Sequence, residues 1–279
     1  MTSCKSWLLA PLTAAAFLCG GASAHAAAKP LRVCADPNYM PYSNRAGQGF
    51  ENKVAQVIAR AMGRKLEYHW ASYRGQGGFS NFLAENLDAR KCDVVISLPY
   101  GDNEEAYTNP YYRSSYVFIY KQDKHYHIRT MNSVSLRSLK IGFENDTTPE
   151  SALKILGLTD NGVPFNVGGN PHASPKSMLQ AVQDGKVGVM ITWEPAIGYF
   201  LKDYPGLKVE RVPTEQYGPG LPAINYTYAM AMGVRKNDDS LKAALNQAIK
   251  SHQAQIDKVL AAYNVRLYPD LRDRTNQSY

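Results

Sequence analysis

Four aromatic side chains, Tyr39, Tyr42, Tyr100 and Trp193, each follow a short apolar run that reads as a strand, and so fall on loops at strand ends. Aromatic surfaces in such places stack a flat ligand or anchor a partner protein; the same residues also serve as ordinary packing. Ser97, which closes the run Asp93-Val-Val-Ile-Ser97, is grouped with them. Thr147 and Thr148 precede a helix start, where free amide groups hold an anion or the hydroxyls simply cap the helix. Glu194 either pairs with a cationic group or faces solvent.

Other chemistry is thinly represented. His125 and His127 lie two apart, which begins a metal site, but no third ligand stands nearby. His69 and His172 are single and read as structural. There is no GxSxG, HExxH, P-loop or GxGxxG in a strand–turn–helix setting. Acid pairs such as Glu104-Glu105 occur in any polar loop. The chain therefore reads as a binding body, not an enzyme, and no cofactor is expected.

The elements that position these residues come from an internal repeat. Leu31-Arg-Val-Cys-Ala-Asp36 resembles Leu139-Lys-Ile-Gly-Phe-Glu144, and Lys91-Cys-Asp-Val-Val-Ile-Ser97 echoes Lys186-Val-Gly-Val-Met-Ile-Thr192. Two matched pairs in the same order predict two α/β units of one design. Phe50, Val54, Val57, Ile58 and Ala61 recur at helical spacing, as do Phe79, Phe82, Leu83 and Leu87. Thr147 with Glu150 has the pattern of a capping box, Pro149 suits a helix start, and Ser174-Pro175 opens a further helix that Gly185 stops. Residues 226–234 read as a strand and 241–263 as one or two amphipathic helices. Alternating strands and helices predict a mainly parallel sheet in each lobe, with crossovers near 110–116 and 225–230 acting as a hinge. Ligands of such lobes bind between them, at the carboxyl ends of the strands.

The N-terminus reads as export. Residues 1–28 carry one charge, Lys5, then an apolar run and a small-residue stretch, the pattern of a cleaved signal peptide. The run is shorter than the roughly 20 residues that span a bilayer. Removing it takes the net charge from +7 to +6, 30 basic against 24 acidic residues. The charges are interspersed, which argues against nucleic acid and leaves a mildly basic surface for an acidic partner. Cys4 and Cys19 leave with the signal; Cys34 and Cys92 remain, and an oxidising compartment favours their pairing over two buried thiols.

Asp36-Pro-Asn-Tyr39-Met-Pro-Tyr42, Gly49-Phe50, Asp93-Val-Val-Ile-Ser97, Asn109-Pro-Tyr-Tyr-Arg-Ser114 and Met232-Gly-Val-Arg235 together resemble the type II periplasmic solute-binding proteins. That resemblance implies an α/β fold of two lobes, residues 29–112 with 229–279 as one and 113–228 as the other. A narrower resemblance, on Val33-Cys-Ala-Asp-Pro-Asn38, Lys91-Cys-Asp-Val-Val95, Pro110-Tyr-Tyr-Arg-Ser-Ser-Tyr-Val-Phe118 and Trp193-Glu-Pro-Ala-Ile-Gly-Tyr-Phe200, is to the J-type periplasmic proteins of the MxaJ and XoxJ kind. It implies an accessory of a pyrroloquinoline-quinone methanol dehydrogenase, with that enzyme and its c-type cytochrome as partners. The alternative is a receptor that delivers a small solute to an ABC importer. Glu194 departs from the glycine expected before the proline, and the loop from Arg74 to Ser80 is richer in glycine than the family pattern.

Amino-acid receptors of this fold resemble a clamp in which an arginine after the third strand grips the ligand carboxylate through its planar fork. Here Leu98-Pro-Tyr-Gly-Asp-Asn-Glu-Glu105 holds acids and no arginine. An α-carboxylate meets repulsion there unless Arg74 or Arg113 swings in.

Overall fold

The computed structural model describes residues 1–2, 28–74, 77–101, 105–266 and 268. The predicted signal peptide therefore lies almost wholly outside the described residues, as do Asp102 and Glu104 of the acidic loop. Among the described residues no helix is long and apolar enough to cross a membrane.

The elements run β1 (Leu31–Ala35), α1 (Phe50–Ala61), β2 (Leu66–Trp70), α2 (Gly78–Phe82) and β3 (Val94–Pro99), then β4 (Tyr112–Lys121). There follow β5 (Ile141–Glu144), α3 (Thr148–Ile155), β6 (Gly162–Phe165), α4 (Lys176–Gln183) and β7 (Val189–Trp193). Then come β8 (Leu207–Arg211), β9 (Thr227–Val234) and α5 (Asp239–Ala262). Each half thus repeats β-α-β-α-β. Their hydrogen-bond orders mirror one another: β2-β1-β3-β9 in the first half, β6-β5-β7-β4 in the second.

The repeat extends to the register. Val33 lies opposite Val94 and Cys34 opposite Val95 in the parallel pair β1–β3. Their counterparts Ile141 and Gly142 lie opposite Val189 and Met190 in β5–β7. The residues aligned by sequence are therefore the residues in equivalent pairing positions. The halves meet where β4 and β9 run antiparallel, Ser115 opposite Thr227 and Tyr112 opposite Met230. This pair is the double crossover expected at 110–116 and 225–230.

Burial follows the predicted stripes. Phe50, Val54, Val57 and Ile58 of α1 pack with Leu241, Leu245, Ile249 and Leu260 of α5 and with β1 and β3. The helix α5 breaks at His252 instead of continuing straight. In the second half Met178, Leu179 and Val182 of α4 pack on β4 and β7 from one face, and Ala152 and Leu153 of α3 from the other. Apolar area removed from water is the main term holding each half, at roughly 25 cal/mol per Å².

Cys34 and Cys92 form a disulfide with α-carbons 5.4 Å apart, inside the range that geometry requires. It ties the end of β1 to the turn before β3, beneath Phe82, Leu83 and Leu87. The predicted apolar stripe over 79–87 is helical, but its second half, Leu83–Asp88, is a π-helical turn.

The capping box at Thr147 does not form. The Thr147 hydroxyl donates to the Glu144 carbonyl at 2.5 Å, and the Glu150 carboxylate accepts from the Asp146 amide at 2.7 Å. Each partner finds a nearer backbone group in the turn before the helix.

Candidate cleft between the lobes

A cleft of about 680 Å³ opens between the two halves, at the carboxyl ends of β1, β5 and β7. Its volume suits a small organic molecule. One wall comes from the loop after β1, carrying Tyr39 and Tyr42, and from Tyr73 and Phe79 after β2. The other comes from Glu144 to Thr148 at the start of α3, from Gly168 and Gly169, and from Trp193 at the end of β7. The crossover strands supply Tyr116 and Tyr228.

The loop bearing Tyr39 and Tyr42 is pressed on the start of α1. Gly49 caps that helix, and any Cβ there would collide with the Tyr42 carbonyl. Asn52 completes the junction by accepting from the Gly49 amide at 3.1 Å and the Asn44 amide at 3.0 Å. Tyr39 and Tyr42 stand with ring centroids 4.7 Å apart, and Tyr73 packs edge-on to Tyr39 at 5.6 Å.

On the crossover, Tyr116, Trp193 and Tyr228 form an aromatic triangle. The centroid distances are 5.4 Å from Tyr116 to Trp193, 5.9 Å from Trp193 to Tyr228 and 6.3 Å from Tyr116 to Tyr228. The antiparallel register sets Trp193 directly opposite Tyr116. The Tyr228 hydroxyl shares a 2.7 Å hydrogen bond with the Thr148 hydroxyl, tying the triangle to α3.

Of the nine residues read from the sequence as cleft candidates, Tyr39, Tyr42, Thr147, Thr148 and Trp193 line the cleft. The other four do not. Ser97 shares a 2.8 Å hydrogen bond with the Tyr111 hydroxyl on the first-half side of β3. Tyr100 packs edge-on against Tyr107 at 5.9 Å. Glu194, instead of facing solvent, is buried, with the Tyr268 hydroxyl at 2.6 Å and the Arg266 guanidinium at 3.1 Å. Burial pushes its carboxyl up to about 6, against the pull of those two partners.

Arg74 does not swing into the cleft. Its side chain is fully buried, and its donors go to main-chain carbonyls on both sides of the cleft. On its own side Nη2 donates to Asn38 at 2.6 Å; across the gap Nη1 donates to Ala173 at 2.9 Å and Asn170 at 3.2 Å, and Nη2 to Pro171 at 3.0 Å. Asp36 lies 3.5 Å from Nε and is held in turn by the Ser72 hydroxyl at 2.6 Å. A rigid five-donor fork serves this role as a lysine cannot.

Among the described residues the charged ones lining the cleft are Glu144 and Asp146, with no lysine or arginine. Glu144 accepts from the Gly168 amide at 2.6 Å, yet partial burial holds its carboxyl above the usual range. An anion at the start of α3 would meet these acids and Glu150, and Pro149 contributes no N–H. His125 and His127 are exposed beside Tyr120 and Lys208, on a segment that is not a strand. Among the described residues no group of three or more His, Cys, Asp or Glu gathers to hold a metal.

The residues that sequence reasoning missed are Tyr73, Phe79, Tyr116, Glu144 and Tyr228. Glu144 had a signal, being the counterpart of Asp36 in the repeat; the register shows both acids at equivalent strand ends.

Residues 31–264 match the bacterial extracellular solute-binding proteins, family 3. The chain is 32% identical to the protein MoxJ of Methylorubrum extorquens over 94% of each chain. Its structure is similar to MxaJ from Methlophaga aminisulfidivorans, with TM-score 0.77 and 27% identity over 85% of this chain and 100% of that one. It is also similar to the periplasmic binding protein XoxJ from Methylobacterium extorquens, with TM-score 0.66 and 27% identity over 85% and 99%. The mirrored sheets, the paired crossovers and this whole-length match agree: the chain belongs to the bacterial extracellular solute-binding proteins, family 3.

Proposed function

We propose that this chain is a periplasmic accessory of a pyrroloquinoline-quinone methanol dehydrogenase, assisting the enzyme's activation, maturation or assembly without catalysing a reaction itself. The observation that carries this reading is the whole-length likeness to MoxJ, MxaJ and XoxJ. Arg74 supports it. A transport receptor must open and shut around each solute, whereas here a buried guanidinium joins the Asn38 carbonyl of one half to the Pro171 and Ala173 carbonyls of the other. In this reading residues 29–112 with 229–279 form one lobe and 113–228 the other. The two halves, joined through Arg74, then present their outer surface to the enzyme and to the c-type cytochrome that serves it. Export through the N-terminal signal brings the chain to the periplasm.

The test is to delete the gene and isolate the dehydrogenase. Its specific activity or cofactor occupancy is expected to fall, and to recover when the chain is restored. An enzyme unaffected by the deletion would overturn the reading. The cleft itself favours a second reading, a solute receptor of an ABC importer; that predicts lost uptake of one solute with the dehydrogenase intact.

A further inference from the structure

We infer that the cleft binds an organic cation lacking a carboxylate, an alkylammonium or guanidinium group, held by the aromatic triangle and Glu144. This goes beyond the accessory role and does not depend on it.

Three observations converge. First, Tyr116, Trp193 and Tyr228 stand 60–75° to one another, so the triangle presents ring faces and edges in several directions at the cleft wall. Ring faces attract a cation through their quadrupole, most strongly for tryptophan. Second, both charged residues among the described residues that line the cleft are acids. Glu144 reaches the cleft from the end of β5, where its Oε1 accepts the Gly168 amide and its carboxylate lines the wall. A bound cation offsets the cost of partly desolvating that carboxylate. Third, Arg74, which bridges the two sides of the cleft, is committed. Arg74 is held by four main-chain carbonyls and lies against the Tyr39 ring, and among the described residues that line the cleft there is no arginine or lysine for a carboxylate to pair with.

The discriminating pair is agmatine and arginine, which share a guanidinium and differ by the carboxylate. Calorimetry on the full mature chain, with tetramethylammonium and glutamate as further probes, reads the affinities. Agmatine is expected to bind at least about tenfold more tightly than arginine, and glutamate not at all. Trp193→Ala and Glu144→Gln should each weaken agmatine by about tenfold. Glu144→Gln keeps an oxygen for the Gly168 amide, so its unliganded melting temperature should match the parent's and its loss of binding is not a loss of fold. Arginine binding as tightly as agmatine, no binding by either cation, or binding unchanged in both variants would each overturn the inference. None of these outcomes bears on whether the chain associates with a dehydrogenase.

Discussion

The guanidinium of Arg74 lies 3.9 Å from the centroid of the Tyr39 ring. One face of Tyr39 thereby belongs to an interlobe contact while the residue also lines the cleft. Shape of the cleft and closure of the lobes are coupled through this pair.

Replacing Arg74 therefore has two expected effects. Arg74→Ala strands buried Asp36 and four carbonyls, which costs about 3 kcal/mol of stability, the scale for breaking a buried charged pair. The lobes should also separate, visible as a larger radius of gyration in small-angle scattering. Arg74→Lys should behave more like the alanine variant than the parent, because an ammonium cannot span carbonyls on both sides. Unchanged scattering from both variants would show that other contacts hold the lobes in place.

The sequence carried the scaffold well and this contact poorly. The repeat was legible because equivalent strands need the same apolar pattern and end at the same layer, which is why even the pairing register followed from alignment. Tyr39, Tyr42 and Trp193 were legible as strand-end aromatics. Arg74 was visible only as a candidate for a carboxylate, since its partners are main-chain carbonyls and leave no side-chain signature. Tyr116 and Tyr228 were hidden inside crossover strands whose buried neighbours dominate the pattern. Glu194 meets Arg266 and Tyr268 from the far end of the chain, and no local rule brings them together.

A second prediction concerns pH. Glu51 is buried in the first lobe, and burial pushes its carboxyl up from an ordinary 4.5 to about 8, with a Ser97 hydrogen bond pulling the other way and Asp36 adding to the rise. Between those values the folded chain holds a proton that the unfolded chain has released. The favourable contribution is thus complete below about pH 4.5 and is lost as pH rises to about 8. Glu194, at about 6, acts in the same direction over a narrower window. Glu51→Gln should match the parent near pH 4.5 and exceed it at pH 8 by on the order of 4 kcal/mol. Denaturant melts at several pH values check this; parallel pH profiles would contradict it.

The disulfide supplies a third. Cys34 and Cys92 are 58 residues apart, and closing a loop of that length is worth about 4 kcal/mol in the unfolded-chain account. Replacing both with serine should lower the melting temperature and make the parent and variant equally stable under strong reductant. A variant as stable as the oxidised parent would mean that the surrounding core alone holds β1 to β3.

The proposed association with a quinoprotein methanol dehydrogenase is tested most directly by sedimentation velocity on the two purified proteins from the same cells. A complex heavier than either component, weakened as salt is raised because the chain is basic, is the predicted result. Two unshifted boundaries at low salt and high concentration would contradict the account.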